Sequence, residues 1–135
     1  MRRDERGLSL SVWTAVAMPA FIVAVGLGVD FSGHAAAEQE ARAIAAEAAR
    51  AGTHAVVVYD SGPRLDAAAA RRAGERFAAA AGYAARVDVQ GDSTVLVTVT
   101  GSYETLFLGL IGVESIGFTA TSSADAVRTL DGDEA

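Results

Sequence analysis

The sequence predicts an α+β chain in which a long N-terminal membrane-spanning helix leads into a small domain of one helix and an antiparallel sheet. Three observations predict it. Residues 8–29 (LSLSVWTAVAMPAFIVAVGLGV) carry no charged side chain, residues 34–51 continue in strong helix formers, and from residue 86 the apolar period changes from helical to alternating. Of the 135 residues, about 30 go to the tail and the span, so the remainder suits one domain with a modest core.

The span comes first. A helix needs about 20 predominantly apolar residues to cross a hydrocarbon core about 30 Å thick, and residues 8–29 reach that length with every charge outside. Arg2, Arg3 and Arg6 crowd the side before it, and no Lys or Arg follows until Arg42. The positive-inside rule therefore predicts a cytoplasmic tail over residues 1–7 and an outward domain from Asp30 onward. Ala15, Ala17, Gly26 and Gly28 are small enough to admit another helix against the span, and Pro19 near its middle removes one backbone hydrogen bond.

A stalk helix is expected over residues 30–52. Glu38 and Arg42 lie at i,i+4, Glu47 and Arg50 at i,i+3, and Gly52 supplies the stop. Continuous with the span, a helix over residues 8–51 would be about 66 Å long. The α+β domain is then expected over residues 53–128 and opens with a short β-prone run at 55–59 (AVVVY). A turn at residues 60–63 leads into a helix over 64–81, with Ser61 or Gly62 as N-cap, Pro63 near the first helical position, Asp66 in the first turn and Gly82 past the end. Leu65, Ala69, Ala73, Phe77 and Ala80 would form its apolar stripe, with Arg71 and Glu75 paired on the wet side.

Strands follow. Residues 86–90 and 94–100 place Val87 and Val89, then Val95, Val97 and Val99, on single faces, and Gly91-Asp92 between them fits a two-residue hairpin turn. The run 105–113 (TLFLGLIGV) is apolar but Gly-broken and too short to cross a membrane. A last strand over 115–124 turns Ile116, Phe118 and Ala120 inward, and residues 129–135 form an acidic tail.

Charge and composition exclude several kinds of chemistry. The formal net charge is −6; the tail, with three Arg against Asp4 and Glu5, accounts for +1, so the part from Asp30 onward carries −7 and would repel nucleic acid. Without Cys there is no disulfide framework, thiolate ligand or Cys nucleophile. Residues 29–34 (VDFSGH) and 59–62 (YDSG) begin like an Asp-x-Ser-x-Ser metal motif, but His34 stands at the second Ser of one and Gly62 follows Ser61 in the other. They read instead as a membrane-exit turn and a helix-capping turn. His34 and His54 lack the His-Glu-x-x-His spacing of a zinc site, and Asp60 and Ser61 near His54 have no Gly-x-Ser-x-Gly elbow. The expected protein is not an enzyme and takes no cofactor, metal or small-molecule substrate.

Taken in order, the Arg-containing tail, Gly7, the apolar helix with Pro19, the Val29-Asp30 exit and the Ala-Ala-Arg-Ala-Gly end at residues 48–52 resemble the TadE/TadG-like pilus-assembly family. The strand at 95–100, Tyr103, the LFLGLIG run at 106–112 and the IGFTATSSA strand at 116–124 resemble its C-terminal half. The resemblance implies a pilin-like α+β fold and a structural role as a minor pilin or pseudopilin of a tight-adherence secretion system. It also implies partners: the membrane, other pilin-like subunits, a membrane platform protein with its cytoplasmic ATPase, and a prepilin peptidase cutting between Gly7 and Leu8. Val12 stands where pilins usually carry a Glu five places after the cut, so an uncut, membrane-held accessory subunit is the alternative form. A rival class is an anchored or secreted extracytoplasmic binding module, released by signal peptidase between Ala37 and Glu38, where Ala35-Ala36-Ala37 meets the small-x-small rule. The apolar stretch exceeds the roughly 7–15 residues of a signal h-region, which favours retention of the span.

Overall fold

Span and stalk form one unbroken helix, α1 (Glu5–Thr53), with Pro19 inside it. The computed structural model describes residues 5–60 and 62–126, and the side chains of α1 from Leu10; Arg2, Arg3, Ser61 and the acidic tail at 129–135 lie outside the described residues. The membrane-exit turn expected at 29–34 is replaced by helix, because Asp30 finds partners far away in sequence and does not divert its own backbone. The ion pairs Glu38–Arg42 and Glu47–Arg50 both form, at 2.6 Å. The chain makes two compact units: one joins the helix up to Ala35 with Tyr103–Ile116, and the other joins Ala36–Ser102 with the residues from Gly117.

The larger unit holds the core. Strands β1 (Val56–Tyr59) and β2 (Gly62–Leu65) pair as an antiparallel hairpin, followed by helix α2 (Ala67–Ala80) and by strands β3 (Ala84–Gln90), β4 (Thr94–Glu104) and β5 (Ser115–Asp125) in a sheet of order β3-β4-β5. Strands β3 and β4 are antiparallel through Val87↔Val97 and Val89↔Val95. On the other side Thr94 donates to Asp125 at 2.6 Å and Thr98 meets Thr121 at 3.3 Å, so β5 also runs antiparallel to β4. Alternation then sorts the side chains: Val87, Val95, Val97, Val99, Phe118 and Ala120 are buried. Ala41, Ala45, Ala48 and Ala49 of α1 form the buried helical stripe that the 3.6-residue period requires.

Small residues set how closely the helices approach. A Cβ on Gly52 would lie 2.9 Å from Val95, and one on Gly74 would lie 3.0 Å from Val87 and 3.2 Å from the Ala48 carbonyl oxygen. The buried stripe of α2 is therefore Ala70, Gly74 and Ala78, one helical face away from the stripe expected through Ala69, Ala73 and Phe77. Phe77 is exposed, since the seam admits only residues without bulk. Arg71 and Glu75 are exposed, and the ion pair expected between them is not among those formed by the described residues.

The start of α2 also differs from expectation. Residues 62–65 leave the helix and pair with β1, where Pro63 is tolerated because this two-stranded ribbon needs few donors from it. Asp66 becomes the N-cap: its backbone is extended, and its Oδ1 accepts from the amides of Ala68 and Ala69 at 2.9 Å. At the other end Gly82 has φ +84°, with Gly82 N–H donating to Ala79 O and Tyr83 N–H to Ala78 O, a Schellman stop. The β3–β4 turn holds three residues, 91–93, where two were expected. Gln90 pairs with Thr94, and the Ser93 carbonyl is taken by Ala126 N–H at 2.7 Å.

Candidate functional site

The smaller unit is built around one carboxylate. From Leu10 to Val25 the α1 side chains are almost wholly exposed, with only 6% of the most apolar window buried, so this part of α1 is not a core segment, and the helix is long and apolar enough to cross a membrane. Trp13, Val16, Phe21 and Ile22 all face outward. Asp30, the first residue beyond the predicted span, is by contrast fully buried.

Its partners are three consecutive backbone amides. Asp30 Oδ1 accepts from Leu106 N–H at 2.7 Å, and Oδ2 accepts from Phe107 N–H at 2.9 Å and Leu108 N–H at 2.7 Å. These amides open a 3₁₀ turn, Leu108–Ile111, whose first N–H groups have no partner of their own. A charged acceptor satisfies them, and they in turn compensate its burial. Burial pushes the Asp30 pKa up, but the hydrogen bonds from Leu108, Leu106 and Phe107 pull it further down, so the carboxyl sits below its ordinary 3.8.

Two glycines flank the anchor on the same helical face, four residues before it and three after. A Cβ on Gly26 would meet the Phe107 ring at 2.5 Å, and one on Gly33 would collide with the Tyr103 hydroxyl. Gly26, Asp30 and Gly33 thus form a seam onto which residues 103–108 fold. The loop closes on itself: Thr105 N–H donates to Glu114 O at 3.0 Å, the Thr105 hydroxyl to Val113 O, and Val113 N–H to Leu108 O at 3.0 Å. Gly112, at φ +93°, makes the left-handed step that ends the 3₁₀ turn.

The residues singled out for helix packing part company here. Gly26 is buried under Phe107 of its own chain, whereas nothing lies within 4 Å of a Cβ on Gly28, and Ala15 and Pro19 are exposed. Gly7 and Leu8 have helical backbone within α1, and Val12 is exposed. Asp30 is engaged with amide donors, which would oppose a cation, and no group of three or more His, Asp or Glu converges among the described residues. His54 and Asp60 are exposed, and Asp60 lies in the β1–β2 turn where a helix cap was expected. Sequence reasoning missed Asp30 and Gly33 as working residues. The Gly-x₃-Asp-x₂-Gly spacing on one face was the available signal. No family model, curated protein or solved structure matches the chain.

Proposed function

We propose that the chain is a membrane-held structural subunit, similar to the TadE/TadG-like minor pilins or pseudopilins, of a tight-adherence type pilus or secretion machine. The observation that carries this reading is the double use of α1: its first half exposes apolar side chains along a membrane-length segment, and from Ala41 its second half supplies the buried face of an α+β core. Such a helix can pass through lipid with one part and contribute to the folded domain with the other. The Arg2, Arg3 and Arg6 tail supports an inside N-terminus and an outward domain, with prepilin peptidase acting at Gly7-Leu8 and the platform protein and other pilin-like subunits as partners.

Asp30 speaks against release as a secreted module. A cut after Ala37 would remove Asp30, Gly26 and Gly33, leaving the amides of residues 106–108 without their acceptor. The mass of the mature protein from its host tests the proposal. A chain starting at Leu8, or an intact one, with the span retained in the membrane fraction is the expected result, together with loss of surface fibres or secretion when the gene is deleted. A soluble chain starting at Glu38 overturns it.

A further inference from the structure

The geometry points to a second membrane contact in this chain: the apolar loop 106–113 enters the outward face of the bilayer beside the span, with lipid as its occupant. This inference rests on the reading of residues 8–29 as a membrane span. Three observations carry it. The first is composition and exposure, since LFLGLIGV has no charged residue yet Leu106 is 67%, Leu110 83% and Ile111 76% exposed. Apolar side chains shown together on one loop mark a contact surface.

The second is depth. Phe107 lies on Gly26, which precedes Asp30 by four residues, about 6 Å along the helix, and so belongs to the apolar segment itself. If residues 8–29 lie in lipid, a loop fastened at Gly26 reaches the same level. Glu104 and Glu114, both exposed, bracket the loop as its polar limits. Val25 and Val29, next to Gly26 and Asp30 in the helix, are also exposed.

The third is the backbone. Non-helical chain is tolerated at membrane depth only where its polar groups are satisfied within the protein. Here Asp30 takes the N–H groups of residues 106–108, while those of Leu110, Gly112 and Val113 are paired inside the loop. The same bonds compensate a carboxylate that would be expensive near hydrocarbon. An apolar exterior, a loop backbone with most of its amides paired within the protein, and a fixed depth are together what an interfacial loop requires.

The test uses the full-length chain in phosphatidylethanolamine–phosphatidylglycerol vesicles, with and without brominated acyl chains. Trp13 is the single tryptophan and reports the span. In a Trp13→Phe background, Leu110→Trp and, as a second reporter, Ile111→Trp read the loop, and Thr119→Trp on the polar face of the sheet is the aqueous control. The expected result is a blue shift and a loss of emission in bromolipid for positions 110 and 111, as for Trp13, and neither at position 119. Quenching of Trp13 with position 110 and 111 emission unshifted and unquenched overturns the loop contact while leaving the span intact. Absence of quenching at Trp13 overturns the span reading and the loop contact with it. Equal quenching at 119 also overturns the inference, as do unquenched loop reporters with Leu110→Cys pairs that cross-link, which would give the loop to a second copy of the chain.

Discussion

Gly26→Ala should release the loop from the helix, and the size of the effect follows from the contact it would make. The new methyl would stand 2.5 Å from Phe107 Cγ and Cδ1 and 2.8 Å from its Cβ, whereas carbon atoms in contact prefer about 3.5–4.0 Å. The ring must therefore retreat by roughly 1 Å. Its Cβ moves with the backbone, and that backbone is tied to Asp30 through the Phe107 amide at 2.9 Å, so the retreat strains the hydrogen bonds as well. Overpacking of this kind costs about 1–3 kcal/mol. Because α1 is helical whether or not the loop is docked, the better helix propensity of Ala cancels from the docking equilibrium. At 1.4 kcal/mol per decade the docked population should fall by about 5- to 140-fold relative to the open form. Amide hydrogen exchange across residues 106–108, measured on full-length protein in detergent micelles, reads that ratio as lost protection. Gly28→Ala is the matched control, since nothing lies within 4 Å of its Cβ, and protection should not change. Unchanged protection in Gly26→Ala, or equal loss in Gly28→Ala, would refute the seam and return both glycines to packing between subunits.

Asp30→Asn, which puts a donor among three donors, should loosen the loop, and Asp30→Ala should loosen it further, read by the same exchange experiment. Since the folded pKa of Asp30 lies below 3.8, the anchor is fully present above that value and is lost as pH falls through the lower folded one; emission of a Leu110→Trp reporter should hold steady down to pH 3.8 and shift only below it. Asp66→Ala removes the α2 cap and should cost about 1 kcal/mol in thermal or denaturant unfolding, whereas Asp66→Asn should cost little. Val97→Ala in the centre of the sheet should cost about 2 kcal/mol by lost burial and a residual cavity, against no measurable loss for Thr119→Ala on the exposed face. With no native Cys to interfere, Ser123→Cys should react with an impermeant thiol reagent on cells stripped of any outer barrier, and Arg3→Cys should react only after lysis; the reverse pattern would invert the proposed orientation.

Period and punctuation settled much of this molecule before any tertiary contact is considered. Twenty-two residues without a charge make a helix long and apolar enough to cross a membrane, and alternating valines at 87–89 and 95–99 make a sheet with one dry face; both signals are local because side-chain direction repeats along a single element. Phe118 and Ala120 turn inward for the same reason. What only the tertiary structure decided lies between elements. The α2 stripe passes through Gly74 because Val87 and the Ala48 carbonyl approach there, and no periodicity within α2 distinguishes a Gly that makes room from a Gly that is merely tolerated. Residues 62–65 became a strand because β1 was available to pair with them, which moved the cap from residues 61–62 to Asp66. Asp30 is the clearest instance. Read locally, an Asp at the end of an apolar helix marks the water boundary, but its partners are 76 to 78 residues away, and only the folded chain brings those three amides to the carboxylate.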